Sequence, residues 1–181
     1  MNKTQVKEMI EEIKKASVQD ELGQFEMGVS EQQHAAKLVE NFYNNFAILK
    51  DNVDEATLTM MTAATILALK DIQVRDYALG LINPKEDRAT SFFQFLTKHA
   101  PYKYNAAPTT LLALTYYEKH EDGKANEALT PALAQRYSLA MLLNRVFQTN
   151  WPAGTFNKMR EELHPKVTAV IFGGKTDDSS K

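Results

Sequence analysis

The spacing of apolar residues constrains this chain more than any other feature of its sequence. Apolar side chains recur at helical intervals through most of the 181 residues, whereas the alternation typical of a half-buried strand is nearly absent. The first helical pattern places its apolar residues at i, i+3, i+4 and i+7, namely Val6, Met9, Ile10 and Ile13. The chain is therefore predicted to be an all-α helical bundle of eight to nine helices.

Capping and helix-breaking residues divide this pattern into helices. Ser30 opens a capping-box pattern, and Asp54 and Asp71 can each cap a helix start. Asn83-Pro84 predicts the start of helix five, because proline at the first helical position lacks only an N–H that would be unsatisfied anyway. Pro131 lies inside helix seven and is expected to kink or split it.

Helix three is predicted to occupy the middle of the bundle. Its segment from Ala56 to Leu69 carries no charge and has apolar residues on two faces. These 14 residues are also too few for a membrane crossing, which needs about 20. We therefore interpret this segment as a buried helix.

The end of the chain is predicted to leave the bundle. Ser138 and Thr155 are expected to cap the last two helices, and the final helix should end at Leu163. After that point the helical pattern fails, and Val167–Phe172 is a short β-prone run. We predict one helical domain at residues 1–163, a C-terminal tail at 164–181 and disorder in the last nine residues.

Composition and charge exclude several classes of protein. The formal net charge is −2, which argues against a protein that holds nucleic acid by a strongly basic surface, and the absence of Cys excludes disulfides and thiolate metal sites. Charged residues throughout the first 20 positions exclude a signal peptide there. A connector is expected at residues 20–29. We expect a cytoplasmic protein with no membrane partner.

Small and aromatic residues on helices six and seven follow a recognisable spacing. They are Ala113, Tyr116, Ala125, Leu129 and Ala132. This spacing resembles one unit of the tetratricopeptide repeat, in which small residues let two antiparallel helices approach closely. The second half of the chain is therefore expected to contain tetratricopeptide-like helical hairpins.

Short motifs from Val74 to about Leu163 carry a longer resemblance. In order, they are Val74-Arg75-Asp76-Tyr77-Ala78-Leu79, Ala100-Pro101, Ala107-Pro108, Leu111-Leu112-Ala113-Leu114, Asp122-Gly123, Ala125-Asn126-Glu127-Ala128-Leu129, Ala132-Leu133 and Tyr137-Ser138-Leu139-Ala140-Met141-Leu142-Leu143. Their order and spacing resemble the helical C-terminal half of the bacterial domain-of-unknown-function family 4192. Larger members of that family have an α/β segment before these helices. The resemblance implies a fold but no reaction, since the family has no established activity.

The sequence predicts no catalytic or metal site. Its four histidines lie far apart, at His34, His99, His120 and His164, so a metal ion would need ligands assembled from distant helices. Adjacent acidic residues on a helix point about 100° apart and are expected to be solvated. No phosphate-loop, nucleophile-elbow or dinucleotide motif is present. We expect a protein that is not an enzyme and needs no cofactor.

Aromatic and basic residues form the predicted partner-binding set. Its members are Tyr102, Lys103, Tyr104, Arg136, Tyr137 and Trp151, with Arg145 near the last of them. Interleaved aromatic and cationic side chains can anchor a protein partner, and they can also stack on bases and neutralise phosphates. A third interpretation is structural, with the two tyrosines of the 102–104 segment only covering the edge of the bundle.

Two function hypotheses follow from these residues. The first is a cytoplasmic interaction module that presents a helical groove to a protein or peptide partner. The alternative is a nucleic-acid-associated regulator, encoded on a mobile element and acting on host defence, whose phosphate contacts would be Lys103, Arg136, Lys158 and Arg160. The identity of the partner and the oligomeric state are left open.

Overall fold

The computed structural model describes residues 1–16, 27–149 and 151–173, and this part of the chain is all-helical, without a strand. The predicted fold class is therefore confirmed. The helices are α1 (Lys3–Ala16), α2 (Val29–Asn52), α3 (Glu55–Ala68), α4 (Ile72–Gly80), α5 (Arg88–His99), α6 (Ala106–Glu118), α7 (Asp122–Ala134), α8 (Ser138–Gln148) and α9 (Ala153–Phe172), with a 3₁₀ turn at Tyr102–Tyr104.

The central helix of the bundle is α6. Every residue from Ala107 to Glu118 is buried, and the helix packs against α5, α7, α8 and α9. The prediction that α3 lies in the middle is wrong, because Met60 of that helix is 49% exposed. Both helices contain threonine, so their sequences do not show which of the two is more deeply buried. A buried threonine is tolerated where its hydroxyl donates to the carbonyl four residues earlier, as Thr62 does on α3 and Thr110 on α6.

One continuous hydrophobic core joins the helices from Val6 in α1 to Phe156 in α9. Between α2 and α5, Phe42 and Phe46 each meet the ring of Phe92 edge to face, with 5.4 Å between ring centres. Edge-to-face contacts of this kind add a directional attraction to the burial of apolar surface. They hold the N-terminal helices against the central part of the bundle.

Two of the predicted helix starts are confirmed by their capping contacts. The Asp54 carboxylate accepts the N–H of Thr57 at 2.9 Å, and the Asp71 carboxylate accepts the N–H of Val74 at 3.0 Å. Each contact satisfies a backbone donor that has no partner inside the helix. At these two positions, an aspartate just before a helical apolar pattern was a sufficient signal.

Three other predicted caps are wrong by one to three residues. Helix α2 begins before Ser30, and the Glu31 carboxylate accepts the N–H of Gly28 at 2.9 Å. Helix α8 begins at Ser138 itself, and α9 begins two residues before Thr155. Helix ends are set by small differences in local hydrogen bonding, so the sequence places them less precisely than it places the helices.

The predicted start of helix five at Asn83-Pro84 is also wrong. The Asn83 amide oxygen accepts the N–H of Lys85 at 3.1 Å, and the chain makes a turn before α5 begins at Arg88. An asparagine oxygen can close either a cap or a turn, because both use a backbone N–H two or three residues later. The sequence signal was therefore ambiguous at this site.

Pro131 does not split helix seven. Helix α7 continues through it to Ala134 as one element. The proline removes one backbone donor of the helix, and three residues of α7 follow it. Packing of Ala132 and Leu129, both fully buried, holds this last turn against α6.

The part of the predicted tail that the structure describes is helix as far as Phe172. Helix α9 continues past Pro165 to Phe172, so the domain boundary at 163 and the β-prone run at Val167–Phe172 are both wrong. Ile171 is fully buried in a small cluster with Ala36 of α2 and Tyr77 of α4. This contact between distant residues explains why α9 continues to Phe172, since the local sequence there favours neither a helix nor a buried position.

Two sequence predictions fall largely outside the described residues. The connector predicted at 20–29 is described only from Met27 onward. The disorder predicted for 173–181 lies beyond the described residues except for Gly173, which ends α9 with a left-handed φ of 69°. Among the helices described, none is long and apolar enough to cross a membrane.

Candidate functional site

The Tyr102-Lys103-Tyr104 segment forms the 3₁₀ turn between α5 and α6, and its two tyrosines differ in environment. Tyr102 is 66% exposed, whereas Tyr104 is buried and its hydroxyl donates to the Glu11 carboxylate at 2.8 Å. Burial and this hydrogen bond raise the pKa of Tyr104 to about 12. Tyr104 therefore attaches the turn to α1, and Tyr102 and Lys103 are the members of the segment that face solvent.

Arg136 and Tyr137 lie in the turn between α7 and α8. The N–H of Arg136 bonds to the carbonyl of Leu133 at 2.9 Å, and that of Tyr137 bonds to Ala132 at 3.0 Å. These two bonds form a Schellman motif, in which Arg136 occupies the left-handed position usually taken by glycine, with φ 54°. The Arg136 side chain is exposed to solvent.

The Tyr137 side chain contacts α4. Its hydroxyl accepts a hydrogen bond from the Arg75 guanidinium at 3.2 Å, and Arg75 also bonds to Asp76 at 2.6 Å. Arg75 and Asp76 thus form an ion pair, in which Arg145, exposed on α8, takes no part. Tyr137 positions the start of α8, so little of its surface is open to a partner.

The structure separates Trp151 from the rest of the predicted set. The Tyr117 hydroxyl, at the C-terminal end of α6, donates to the Trp151 carbonyl. At the other end of α6, the Gln135 amide donates to Asn105 at 2.6 Å and so joins the turn before α8 to the 3₁₀ turn. The 102–104 and 136–137 segments therefore share one end of α6, and Trp151 lies at the opposite end.

A groove runs along the outer side of α7 and α8. It encloses about 590 Å³ and is lined by Leu133, Arg136, Met141, Asn144, Arg145 and Gln148. Of the predicted partner-binding residues, only Arg136 lines this groove, which we call the α7–α8 groove. The groove residues on α8 stand at i, i+3, i+4 and i+7. The sequence analysis named Arg145 among them and missed Met141, Asn144 and Gln148, because these positions mix apolar and polar types and form no hydrophobic period.

The two arginines give the α7–α8 groove an uncompensated positive charge. Within the described residues, neither the Arg136 nor the Arg145 side chain forms an ion pair. Arg75, Arg88 and Arg160 are each paired with a carboxylate in the same structure. Two unpaired cations beside the exposed Met141 leave a surface that can accept an anionic and partly apolar ligand.

Arg160 cannot be the phosphate contact predicted for it. It is only 3% exposed, and its guanidinium donates to both Glu118 carboxylate oxygens at 3.1 Å, to Asn157 and to the carbonyl of Ile82. Burial raises the pKa of Glu118, and the charge of Arg160 opposes that shift. This buried ion pair joins α6 to α9, and its guanidinium has no surface left for a ligand.

In the part of the chain that the structure describes, no three His, Asp or Glu side chains are grouped so that they could hold a metal ion. The buried pair of Glu118 and Arg160 lines no part of the groove. The groove itself offers guanidinium, amide and thioether groups, which bind ligands by charge and hydrogen bonding and supply neither a nucleophile nor a general base.

Comparison with known proteins supports the resemblance seen in the sequence. A family model described as a domain of unknown function, DUF4192, matches residues 3–153. The match extends well before Val74, so it includes the N-terminal helices as well as the motifs noted above. Comparison with curated proteins and with solved structures found no match.

Proposed function

The chain belongs to the DUF4192 family of unknown function, and we propose that it is a non-enzymatic interaction module. In this proposal the α7–α8 groove binds an acidic, partly apolar segment of a protein partner. The observation that carries it is the pair of exposed arginines, unpaired within the described residues, that line the groove beside Met141.

The chemistry of the groove indicates what the partner must offer. Arg136 and Arg145 favour carboxylates, which a guanidinium binds through two parallel hydrogen bonds. Met141 is 45% exposed, and a flexible thioether adapts to apolar side chains of several shapes. The amides of Asn144 and Gln148 can satisfy polar groups at the same surface. An amphipathic helix with acidic and apolar residues on one face meets all three requirements.

The α6–α7 hairpin provides a rigid support for the groove. Small residues of α7 pack directly on the central helix, and Ala125, Leu129 and Ala132 are all fully buried. Close approach of two helices through small residues is the packing used in tetratricopeptide-like hairpins, which present helical grooves to peptides. The proposal includes this likeness, together with a cytoplasmic location in a bacterial cell.

Site-specific photocrosslinking in bacterial cells tests the proposal. A photoreactive residue placed at Met141 should capture a protein, because the groove would be occupied by the partner. The control is the same residue at Met60 of α3, which is 49% exposed and therefore as accessible as Met141. Products that form equally at both positions would contradict a specific groove, and crosslinked nucleic acid would contradict a protein partner.

Charge removal links the captured partner to the arginines. Arg136→Gly removes one guanidinium while placing glycine where φ is positive, so the free energy of unfolding should change by less than about 1 kcal/mol. Combined with Arg145→Ala, it should abolish the crosslink and weaken binding of the purified partner segment by at least about tenfold. Unchanged affinity in this folded double variant would show that the groove is not the binding site.

A further inference from the structure

His164 lies where α9 packs on α4, and one of its ring nitrogens is buried without a partner. The imidazole fills the space that Gly80 leaves open, since a Cβ atom there would overlap the ring and would lie nearest to Nδ1. The ring of Tyr77, one turn earlier on α4, packs on the same imidazole with 5.2 Å between ring centres. Nδ1 is buried, and no described residue gives it a hydrogen-bond partner.

The two protonation states of the His164 ring place different demands on this position. A neutral imidazole carries one proton, and Nδ1 can be the nitrogen without it. The imidazolium carries a proton on each nitrogen, so its Nδ1–H would be held against Gly80 with no acceptor among the described residues. The packing of α9 on α4 therefore favours the neutral ring.

The charges around the ring oppose each other and leave burial as the largest effect. Burial lowers the pKa of His164, the Glu40 carboxylate of α2 acts in the opposite direction, and Arg160 of α9 adds to the lowering. On α4, burial and a hydrogen bond to Glu40 raise the pKa of Tyr77 to about 12, so that hydroxyl stays neutral. On α6, Glu118 is paired with Arg160.

Helix α9 has a gap in its hydrogen bonding directly after His164. Pro165 has no N–H, so the helical bond to the carbonyl of Glu161 is missing. Before this gap, the buried pair of Arg160 and Glu118 joins α9 to α6. The first half of α9 is therefore held by contacts that do not involve the residues after Pro165.

The second half of α9 is held by a few contacts with α2 and α4. Ile171 packs in a small cluster with Ala36 and Tyr77, which is separate from the main core. The Gln33 amide donates to the Ile171 carbonyl at 2.9 Å, and the ring of Phe172 meets that of Tyr77 at 5.7 Å between ring centres. A segment with so few contacts can open locally while the rest of the domain stays folded.

We propose that His164 is a pH-sensitive latch, and that protonation of its ring releases residues 165–172 from α2 and α4. Release lets both N–H groups of the imidazolium reach water and exposes the apolar cluster of Ala36, Tyr77 and Ile171. The latch is independent of the proposed protein partner, because none of these residues lines the α7–α8 groove.

The direction of the pH effect follows from the two states of the ring. In the released segment His164 has the ordinary pKa of an exposed imidazole, about 6.5, whereas in the packed segment its pKa is lower. As the pH falls below about 6.5, the released form takes up a proton more readily than the packed form. Acidification therefore shifts the balance toward release.

Hydrogen exchange of the whole chain, measured by mass spectrometry, tests the latch. Protection is taken relative to an unstructured amide at the same pH, which removes the pH dependence of exchange itself. Between about pH 7.5 and about pH 5, protection of residues 166–172 should fall at least about tenfold, and that of residues 157–163 by less than about threefold. Equal losses in both segments, or no loss in either, overturn the proposal.

Two histidine variants show whether His164 is the group that responds to pH. His164→Gln removes the titrating ring, so protection of residues 166–172 should no longer depend on pH. The matched control is His34→Gln, which removes an exposed histidine of α2 and should keep the full effect. A pH-dependent loss of protection that persists in His164→Gln contradicts the latch.

A titration of the unmodified chain by nuclear magnetic resonance covers the case in which His164→Gln releases the segment at every pH. The imidazole signal of His164, identified by its absence from the spectrum of that variant, should titrate over the pH range in which protection of residues 166–172 is lost. If the ring becomes protonated while these residues stay protected, His164 is not a latch.

Discussion

At the scale of single residues, the arginines differ most in environment, although the sequence analysis treated Arg136 and Arg160 alike as surface cations. Arg160 is buried against Glu118, whereas Arg136 and Arg145 are exposed in the groove. A buried ion pair is held in place mainly by the cost of breaking it, since removal of one partner leaves a desolvated charge. Arg160 is therefore a structural residue that joins α9 to the central helix.

The first prediction concerns this buried pair. Arg160→Met should lower the free energy of unfolding by about 3–5 kcal/mol near neutral pH, because Glu118 is left buried without its partner. Burial already raises the pKa of Glu118, so protonation removes the unpaired charge as the pH falls. The loss of stability should consequently be smaller under mildly acidic conditions. Urea denaturation at two pH values measures both effects.

The control for this prediction removes both charges. Arg160→Met combined with Glu118→Leu should recover a large part of the lost stability, since no unpaired charge remains in the interior. A double variant that is as unstable as the sum of the two single variants would contradict the interpretation. The cost would then come from packing or from the other hydrogen bonds of Arg160.

At the scale of helices, α4 and α9 approach so closely that one position has room only for glycine. A methyl group at Gly80, the last residue of α4, would overlap the imidazole of His164 on α9. The ring of Tyr77 packs on the same imidazole at 5.2 Å between ring centres. Burial lowers the pKa of His164, which favours the neutral form of the imidazole in this contact. This contact holds the middle of α9, in the region predicted from the sequence to be a tail.

The second prediction tests the contact between α4 and α9. Gly80→Ala should lower the free energy of unfolding by about 1–3 kcal/mol, because the added methyl group forces the two helices apart. Gly123→Ala on α7 is the matched control. Nothing lies within 4 Å of a methyl group there, and alanine favours the helix, so stability should stay the same or rise.

A second variant shows whether His164 is the cause. In a His164→Ala background the overlap is gone, so Gly80→Ala should cost less than about 0.5 kcal/mol. Chemical denaturation of the four proteins in this cycle gives the coupling energy directly. If Gly80→Ala lowers the free energy of unfolding equally with and without His164→Ala, the strain does not come from the imidazole.

At the scale of the whole molecule, the continuous core predicts that the helices unfold together. Buried residues of α1, α6 and α9 belong to the same hydrophobic cluster. A domain of this size with one core usually unfolds in a single cooperative step. Loosening one end should therefore destabilise the other end equally.

The third prediction uses the single tryptophan as a local reporter. Trp151 lies between α8 and α9, far along the chain from Ile10 of α1. Ile10 is fully buried, so Ile10→Ala should cost about 2–5 kcal/mol and shift the urea midpoint seen by Trp151 fluorescence as much as that seen by far-ultraviolet circular dichroism.

An exposed isoleucine provides the control for cooperativity. Ile48 of α2 is 65% exposed, and Ile48→Ala should change stability by less than about 0.5 kcal/mol. If Ile10→Ala shifts the urea midpoint seen by circular dichroism but not that seen by Trp151 fluorescence, the N-terminal helices unfold separately. The description of a single helical domain would then be wrong.

Much of the fold could be predicted because it depends on local patterns. The 3.6-residue period identified the helices, and acidic caps such as Asp54 and Asp71 located two of their starts. The family resemblance rested on short motifs in order, and the family match confirmed it. The errors at Asn83 and Ser30 arose where the same side chain can close a turn or a helix.

The candidate site was predicted less well, because a site is a set of residues that tertiary packing brings together. Arg136 was identified from the sequence, but its neighbours in the groove are ordinary surface residues of α8. Tyr104 and Tyr137 have the aromatic character that suggested binding, yet their hydroxyls serve internal contacts with Glu11 and Arg75. No local pattern distinguishes these two uses of a tyrosine.

The sequence by itself determined most of the helices and the family, because hydrophobic periodicity and capping act over a few residues. Tertiary structure alone decided which helix lies at the centre, which arginines are buried and whether the last segment is helical. Each of these depends on contacts between residues far apart in the chain, such as Ile171 with Ala36 and Arg160 with Glu118. The free energy of such contacts comes from burial and pairing, which exist only once the helices have packed.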